Sequence, residues 1–245
     1  MKERLDKFIA SQTALSRKEA HKAIQSKRVT VNGVVIRAVD DKIDPQTDTV
    51  ALDGEALAFR EHVYYMMYKP AGVVSATEDR TERTVLDILP PTLRRAGLFP
   101  AGRLDKDTTG LLILTDDGDY AHRMLSPKKH VFKRYVATLD RAPDDSVIRF
   151  FADGVTLADG SVCQSAKAEL LGGTAVAVEI AEGKYHQVKR MFAAAGYKVI
   201  TLQRVRIGAL TLDEKLLPGE VRELSDDEKN LVFIDVHASS FEPEC

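Results

Sequence analysis

The sequence predicts an α+β protein in two parts, a small basic module followed by a larger domain built on an antiparallel or mixed sheet. Three observations carry this. β-prone runs follow one another with only occasional helices between them, without the strict alternation of a parallel α/β sheet. Cationic residues crowd the start of the chain, with nine Lys or Arg against three Asp or Glu in the first 37 positions of a chain whose net charge is −2. At residues 101–110 a glycine-bounded polar loop, Ala101-Gly102-Arg103-Leu104-Asp105-Lys106-Asp107-Thr108-Thr109-Gly110, opens onto Leu111-Leu112-Ile113-Leu114-Thr115, an aliphatic run short enough to be a buried strand.

A chain of 245 residues, 44% apolar and 29% charged, has enough material for one large domain or two smaller ones. No apolar run approaches the ~20 residues of a membrane span, so no membrane partner is expected. Two cysteines, Cys163 and Cys245, have neither metal spacing nor an evident disulfide role, as in a reducing, cytoplasmic setting.

In chain order, Leu5, Phe8 and Ile9 recur at i, i+3, i+4 and predict a short helix over residues 2–11. Ser16 and Glu19 form the pattern of a capping box, opening a second helix that runs to about Ser26 and buries Ala20, Ala23 and Ile24. Arg17, Lys18, Lys22, Lys27 and Arg28 are left to solvent as a basic face suited to phosphates. Val29–Val31 and Val34–Ile36 flank Asn32-Gly33, the dipeptide of a type I′ hairpin turn. Acidic and turn residues fill positions 38–62, and a domain boundary is set near Arg60, giving a module over 1–60, a second domain over 61–236 and a disordered tail over 237–245.

The second domain opens on the β-prone run Val63–Tyr68, closed by the turn Lys69-Pro70-Ala71-Gly72. In the loop that follows, Asp105 is a candidate nucleophile or base, with Arg103 two positions earlier able to reach it and favour its charged form. Asp119 is expected to cap a helix over Tyr120–Leu125. The stretch Ser126–Arg134 holds Lys128, Lys129, Lys133 and Arg134 without an acid, a second basic patch. A strand from Tyr135 to Leu139 comes next, then an acidic helix and glycine-broken strands over 141–175 to which no chemistry is assigned. Val188, Met191, Phe192 and Ala195 mark the buried stripe of a helix that Gly196 ends, with Lys189 and Arg190 in its first turns. From Lys184 to Arg206 there are six Lys or Arg and no acid. His186, at this helix start, is expected to cap or position backbone. A strand over 204–212 and a short acidic helix from Ser225 close the fold.

Two stretches together, RLDKFIA and LSRKEAHKAIQSKRVTVNG, resemble the S4 RNA-binding domain over most of residues 1–60. GRLDKDTTGLLILTDDGD resembles the catalytic motif of the pseudouridine synthases of the RsuA type, and EGKYHQVKRMFAAAG a second motif of the same enzymes. The resemblance reaches to about residue 224 and implies an S4-type module followed by the pseudouridine synthase fold, with its long mixed, mostly antiparallel sheet. It implies an isomerase that breaks N1–C1′ of a uridine and forms C5–C1′, needing no cofactor and no metal. The family's essential aspartate falls on Asp105, its base-stacking tyrosine on Tyr135, and the basic partner of the aspartate on Lys189. An apolar active-site residue is expected in the 204–212 strand, with Leu210 chosen. Arg103, Tyr135, Lys189 and Leu210 are thus the expected substrate contacts, and the basic residues above, with Lys128, Lys129, Lys133 and Arg190, the expected RNA contacts. The implied substrate is rRNA, with uridine 516 of 16S rRNA favoured over a 23S site, met as naked RNA or as a small-subunit assembly intermediate by a monomer. Two other classes fit the residues less well: a non-catalytic RNA-binding or assembly protein, and a metal-dependent nuclease using Asp105, Asp107 and Asp116.

Overall fold

The computed structural model describes residues 2–236, so the tail expected over 237–245 lies outside the described residues. By its internal contacts the chain falls into two units, Met1–Val63 with Leu89–Phe99, and Tyr64–Ile88 with Pro100–Cys245. The excursion Leu89–Phe99, expected in the second domain, groups with the first unit: the Arg95 guanidinium donates to the carbonyls of Arg60 and Glu61.

In the first unit, β1 (Glu3–Arg4) leads into α1 (Leu5–Gln12), and α2 (Arg17–Gln25) packs against α1. The capping box is present: Ser16 Oγ accepts from Glu19 N, and the Glu19 carboxylate accepts from Ser16 N at 2.8 Å. β2 (Val29–Val31) and β3 (Val34–Val35) form the expected hairpin, with Asn32 at φ 51° and Gly33 at φ 80°, the two left-handed positions of a type I′ turn. β4 (Lys42–Ile43) pairs with β1, and β5 (Val50–Leu52) and β6 (Glu55–Ala56) complete a sheet ordered β3-β2-β5-β6. Leu5, Phe8, Ile9, Ala20, Ala23, Ile24, Val29, Ile43 and Val50 form its core.

That core contains one acid. Asp6 is fully buried, and its carboxylate gathers Arg4 Nε at 3.0 Å, Arg17 Nη2 at 2.8 Å and His21 Nε2 at 2.7 Å. Burial alone would raise its pKa, but the hydrogen bonds from Arg4, Arg17 and His21 hold it well below the usual carboxylate range. A depressed folded-state pKa stabilises above the ordinary value of ~4 and loses that contribution as pH falls through and below it. Asp6→Asn is expected to cost about 1–3 kcal/mol at pH 7, less than a fully buried pair because the three partners left behind reach water. The difference from wild type should shrink below pH ~4; urea unfolding at several pH values measures it, and a pH-independent gap would contradict the assignment.

The second unit holds β7 (Tyr64–Lys69), β8 (Phe99–Ala101, its last two residues), β9 (Thr109–Thr115), α3 (Gly118–Leu125), β10 (Lys133–Leu139), α4 (Ser146–Ala152), β11 (Lys167–Gly172), β12 (Ala175–Ile180), α5 (Gln187–Ala194), β13 (Val199–Ile207), β14 (Leu210–Thr211), β15 (Val221–Glu223) and α6 (Asp226–Leu231). Its main sheet runs β11-β12-β10-β13-β9-β7-β15. Neighbours are antiparallel except β13 and β9, which are parallel, so the sheet is mixed and mostly antiparallel as the sequence predicts. Leu111–Leu114 are fully buried, as a continuous aliphatic run in a central strand requires. At the β9–β13 crossing Gly110 has φ +105°, and a Cβ there would lie 2.2 Å from the Arg204 carbonyl oxygen, so only glycine brings the polar loop this close to β13. The helix after β9 is capped by Asp117, whose carboxylate accepts from Tyr120 N at 2.9 Å, two residues before the expected Asp119. No helix among the described residues is long and apolar enough to cross a membrane.

Candidate active site

The loop that carries Asp105 is fixed from beneath before any side chain reaches it. Lys69, the last residue of β7, has no exposed surface, and its ammonium donates to the carbonyls of Pro70 at 3.0 Å, Asp105 at 3.0 Å, Lys106 at 3.3 Å and Thr108 at 2.9 Å. An ammonium has three protons, so at least one of them is shared between two of the four carbonyls. Burial pushes Lys69 down to about 8, against the pull of Asp107 and Asp105. Gly72 N donates to Lys106 O at 2.8 Å, and Ser75 Oγ both donates to Leu104 O and accepts from Leu104 N, each at 3.0 Å. The Lys-Pro-x-Gly turn, an ordinary strand end on its own residues but one that the family resemblance sets beside the catalytic loop, is therefore the floor of that loop.

Above this floor a pocket of about 490 Å³ is lined by Ser75, Arg103, Asp105, Tyr135, His186 and Leu202 among others, a size suited to a small-molecule or nucleoside group. The Asp105 carboxylate is partly exposed. Lys189 Nζ lies 3.3 Å from Asp105 Oδ2 and 2.5 Å from Asp107 Oδ1, and His186 Nε2 lies 3.5 Å from Asp105 Oδ1. The hydrogen bond from Lys189 holds Asp107 below the usual carboxylate range. The two carboxylates thus share one ammonium in the first turn of α5. Gln187, almost fully buried, orders the approach to that turn: its Oε1 accepts from Lys184 N at 2.9 Å and its Nε2 donates to Glu182 at 2.7 Å.

Asp105 and Tyr135 line one cavity and Lys189 meets the Asp105 carboxylate, while several other residues differ from what the sequence predicts. Arg103 lines the pocket but makes no ion pair with Asp105; its side chain is exposed, and the ammonium at Asp105 is that of Lys189 in α5. His186 occupies the cap position of α5 at φ 49° but makes no capping hydrogen bond; its ring turns toward Asp105 instead. Leu210 is buried in β14 and does not line the pocket, whose apolar wall includes Leu202, near the opposite end of the same strand pair.

Among the basic candidates, Lys133 is buried, donates to Val131 O at 2.9 Å and is pushed down to about 8 by burial, so it faces no RNA. Arg190 is held by Asp159 at 2.5 Å, and Arg28 by Asp53 at 2.5 Å. Arg17 is partly engaged by Asp6, while Lys18, Lys22, Lys27, Lys128 and Lys129 are exposed. The family resemblance sets the Lys69-Pro70-Ala71-Gly72 turn beside the catalytic loop, but the contacts of Lys69 and of Gln187 are not predicted by the sequence. Among the described residues no group of three or more His, Cys, Asp or Glu is arranged to hold a metal ion.

The chain matches the sequence profile of RNA pseudouridylate synthases over residues 63–194 and that of the S4 domain over residues 3–48. It is 46% identical over 228 residues to ribosomal small subunit pseudouridine synthase A of Escherichia coli (strain K12), covering 92% of this chain and 97% of that protein. It is 45% identical over 233 residues to an RNA pseudouridine synthase of Bacillus subtilis (strain 168) described as uncharacterized, covering 94% and 98%. A solved pseudouridylate synthase, 40% identical, superposes with a TM-score of 0.67 over 94% of this chain and 99% of that one.

Proposed function

The chain belongs to the RNA pseudouridylate synthase family and carries an S4 domain at its amino-terminal side, and from that premise we propose that it isomerises uridine 516 of 16S rRNA through Asp105. The single observation that supports Asp105 is its position: a carboxylate at a nucleoside-sized pocket, on a loop whose carbonyls are pinned by a buried lysine, with Lys189 and His186 against its two oxygens. The ribosomal small subunit in the name of the Escherichia coli relative supports the target.

In the reaction the N1–C1′ bond breaks, the uracil turns, C5 bonds to C1′, the C5 proton leaves to water and N1 regains one. Asp105 acts at the ribose, either by attack on C1′ or by removal of the 2′ proton; both uses need the ionised carboxylate beside Lys189. Tyr135, on β10 and largely buried in the pocket wall, stacks on the uracil. Arg103, free of Asp105, meets the RNA backbone. Unstacking the target costs a few kcal/mol, and the exposed lysines of α2 and of the Lys128–Lys129 turn hold the RNA while it happens. Each phosphate contact contributes about −0.7 to the log–log salt slope for single-stranded RNA. Incubation with 16S rRNA, with small-subunit precursors and with 23S rRNA, followed by carbodiimide adduct formation and primer extension, tests the target. A new stop at position 516 is expected; a stop in 23S rRNA with none in 16S would move the target and leave the chemistry.

A further inference from the structure

We propose that Tyr185 is a stacking platform for the RNA base that neighbours the target uridine, a proposal that rests on the reading of the pocket as a uridine site. Tyr185 is 75% exposed, the most exposed large hydrophobic side chain among the described residues, yet it is one of the residues lining the pocket. A lone exposed aromatic is ordinary on a protein surface. This one is prearranged. Its ring lies parallel to that of His186, with centroids 3.8 Å apart and planes at 19°, and among the described residues it makes no other ring contact.

The backbone beneath it is braced on both sides. Arg190, itself tied to Asp159, donates to the Tyr185 carbonyl at 3.3 Å; Lys184 donates through its ammonium to the Val162 carbonyl and through its N–H to Gln187. His186 is fixed in the left-handed region at φ 49° with its far edge on Asp105. Tyr135 and Tyr185 therefore sit at two depths of one cavity, the first nearly buried and the second at the lip. The uracil that reaches Asp105 occupies the inner level. The next base along the strand, parted from the target when it is unstacked, meets the outer one. A ring already held in place by His186 loses little freedom when a base covers it, and stacking on aromatic side chains is sequence-tolerant because every base presents a π-face.

The chain contains no tryptophan, so Tyr185→Trp creates a single emitter at the proposed contact. In an Asp105→Asn background, which prevents turnover, the indole fluorescence of the Tyr185→Trp variant is titrated with a transcript of the 16S segment containing uridine 516 and with single-stranded oligouridylate, while filter binding reports occupancy independently. The expected result is quenching that saturates with occupancy, together with a ~5- to 100-fold weaker Kd for Tyr185→Ala and recovery to within about two-fold for Tyr185→Phe. RNA that binds without changing the emission, or Tyr185→Ala binding like the parent, overturns the proposal whatever the isomerase assay gives. Quenching by an RNA in which wild-type enzyme forms no pseudouridine supports the platform and removes only the assigned target.

Discussion

Asp105→Asn is expected to lower the single-turnover rate of pseudouridine formation by at least ~10³-fold, while the Kd for RNA stays within about two-fold. The substitution keeps the shape of the side chain and removes its charge. The loop does not depend on that charge, because its position comes from backbone carbonyls held by Lys69 and from the Gly72 and Ser75 contacts. What is lost is the anion that acts at the ribose and that Lys189 and His186 face. Lys189→Met is expected to be milder, because Asp105 keeps His186 and partial access to water. Tritium release at C5 and filter binding separate the two effects. An Asp105→Asn protein that retains a tenth of the wild-type rate would place the chemistry elsewhere.

Lys69→Met should be the most damaging change outside the reacting groups. It removes the buried ammonium that four carbonyls share: those of Asp105 and Lys106 keep the N–H groups of Thr108 and Gly72, whereas those of Pro70 and Thr108 lose the Lys69 donor. Buried acceptors left unpaired cost about 1–3 kcal/mol each at most, and relaxation of the loop shares that among them, so a loss of about 2–4 kcal/mol is expected. This corresponds to a fall in Tm on the order of 5–15 °C, accompanied by loss of turnover as Asp105 loses its fixed position. Lys69→Arg does not rescue, because a forked guanidinium overfills a site shaped for a point charge.

The pH dependence carries a sign. The folded-state pKa of Lys69 is about 8 against an ordinary 10.5, so between these values the unfolded chain holds more protons and stability attributable to this group rises with pH. Below pH 8 the cost of the buried charge is present in full. Wild type should show this slope more strongly than Lys69→Met between pH 8 and 10.5 in denaturant titrations. Equal slopes would mean that Lys69 is not the buried cation described here.

Much of this arrangement was legible in local patterns. The Ser16–Glu19 capping box, the Asn32-Gly33 hairpin and the Gly196 stop of α5 depend on residues a few positions apart, and they appear where the spacing places them. The aliphatic run after Asp105 and the apolar stripe of α5 fixed the strand and helix that carry Asp105 and Lys189.

What escaped the sequence depends on long-range packing. Composition counts Lys133 and Arg190 with the exposed lysines, but the turn of the chain at Val131 buries one and Asp159 claims the other. Lys69 reaches carbonyls up to 39 residues away, and no local pattern reports such a cage. The same limit applies to Leu202 and Leu210, two apolar residues of adjoining strands: Leu202 of β13 lines the pocket, whereas Leu210 of β14, paired with Ile207, is buried away from it. Arg103, beside Asp105 in sequence, stands apart from it because the loop backbone between them is held in place by Ser75 at Leu104.

The most direct test of the central claim is tritium release from 16S rRNA labelled at C5 of uridine, using wild-type enzyme without added cofactor. One equivalent of tritium per rRNA, released to water and abolished by Asp105→Asn, is the expected result. Wild-type enzyme that binds 16S and 23S rRNA yet releases tritium from neither would contradict the assignment of this pocket to uridine isomerisation.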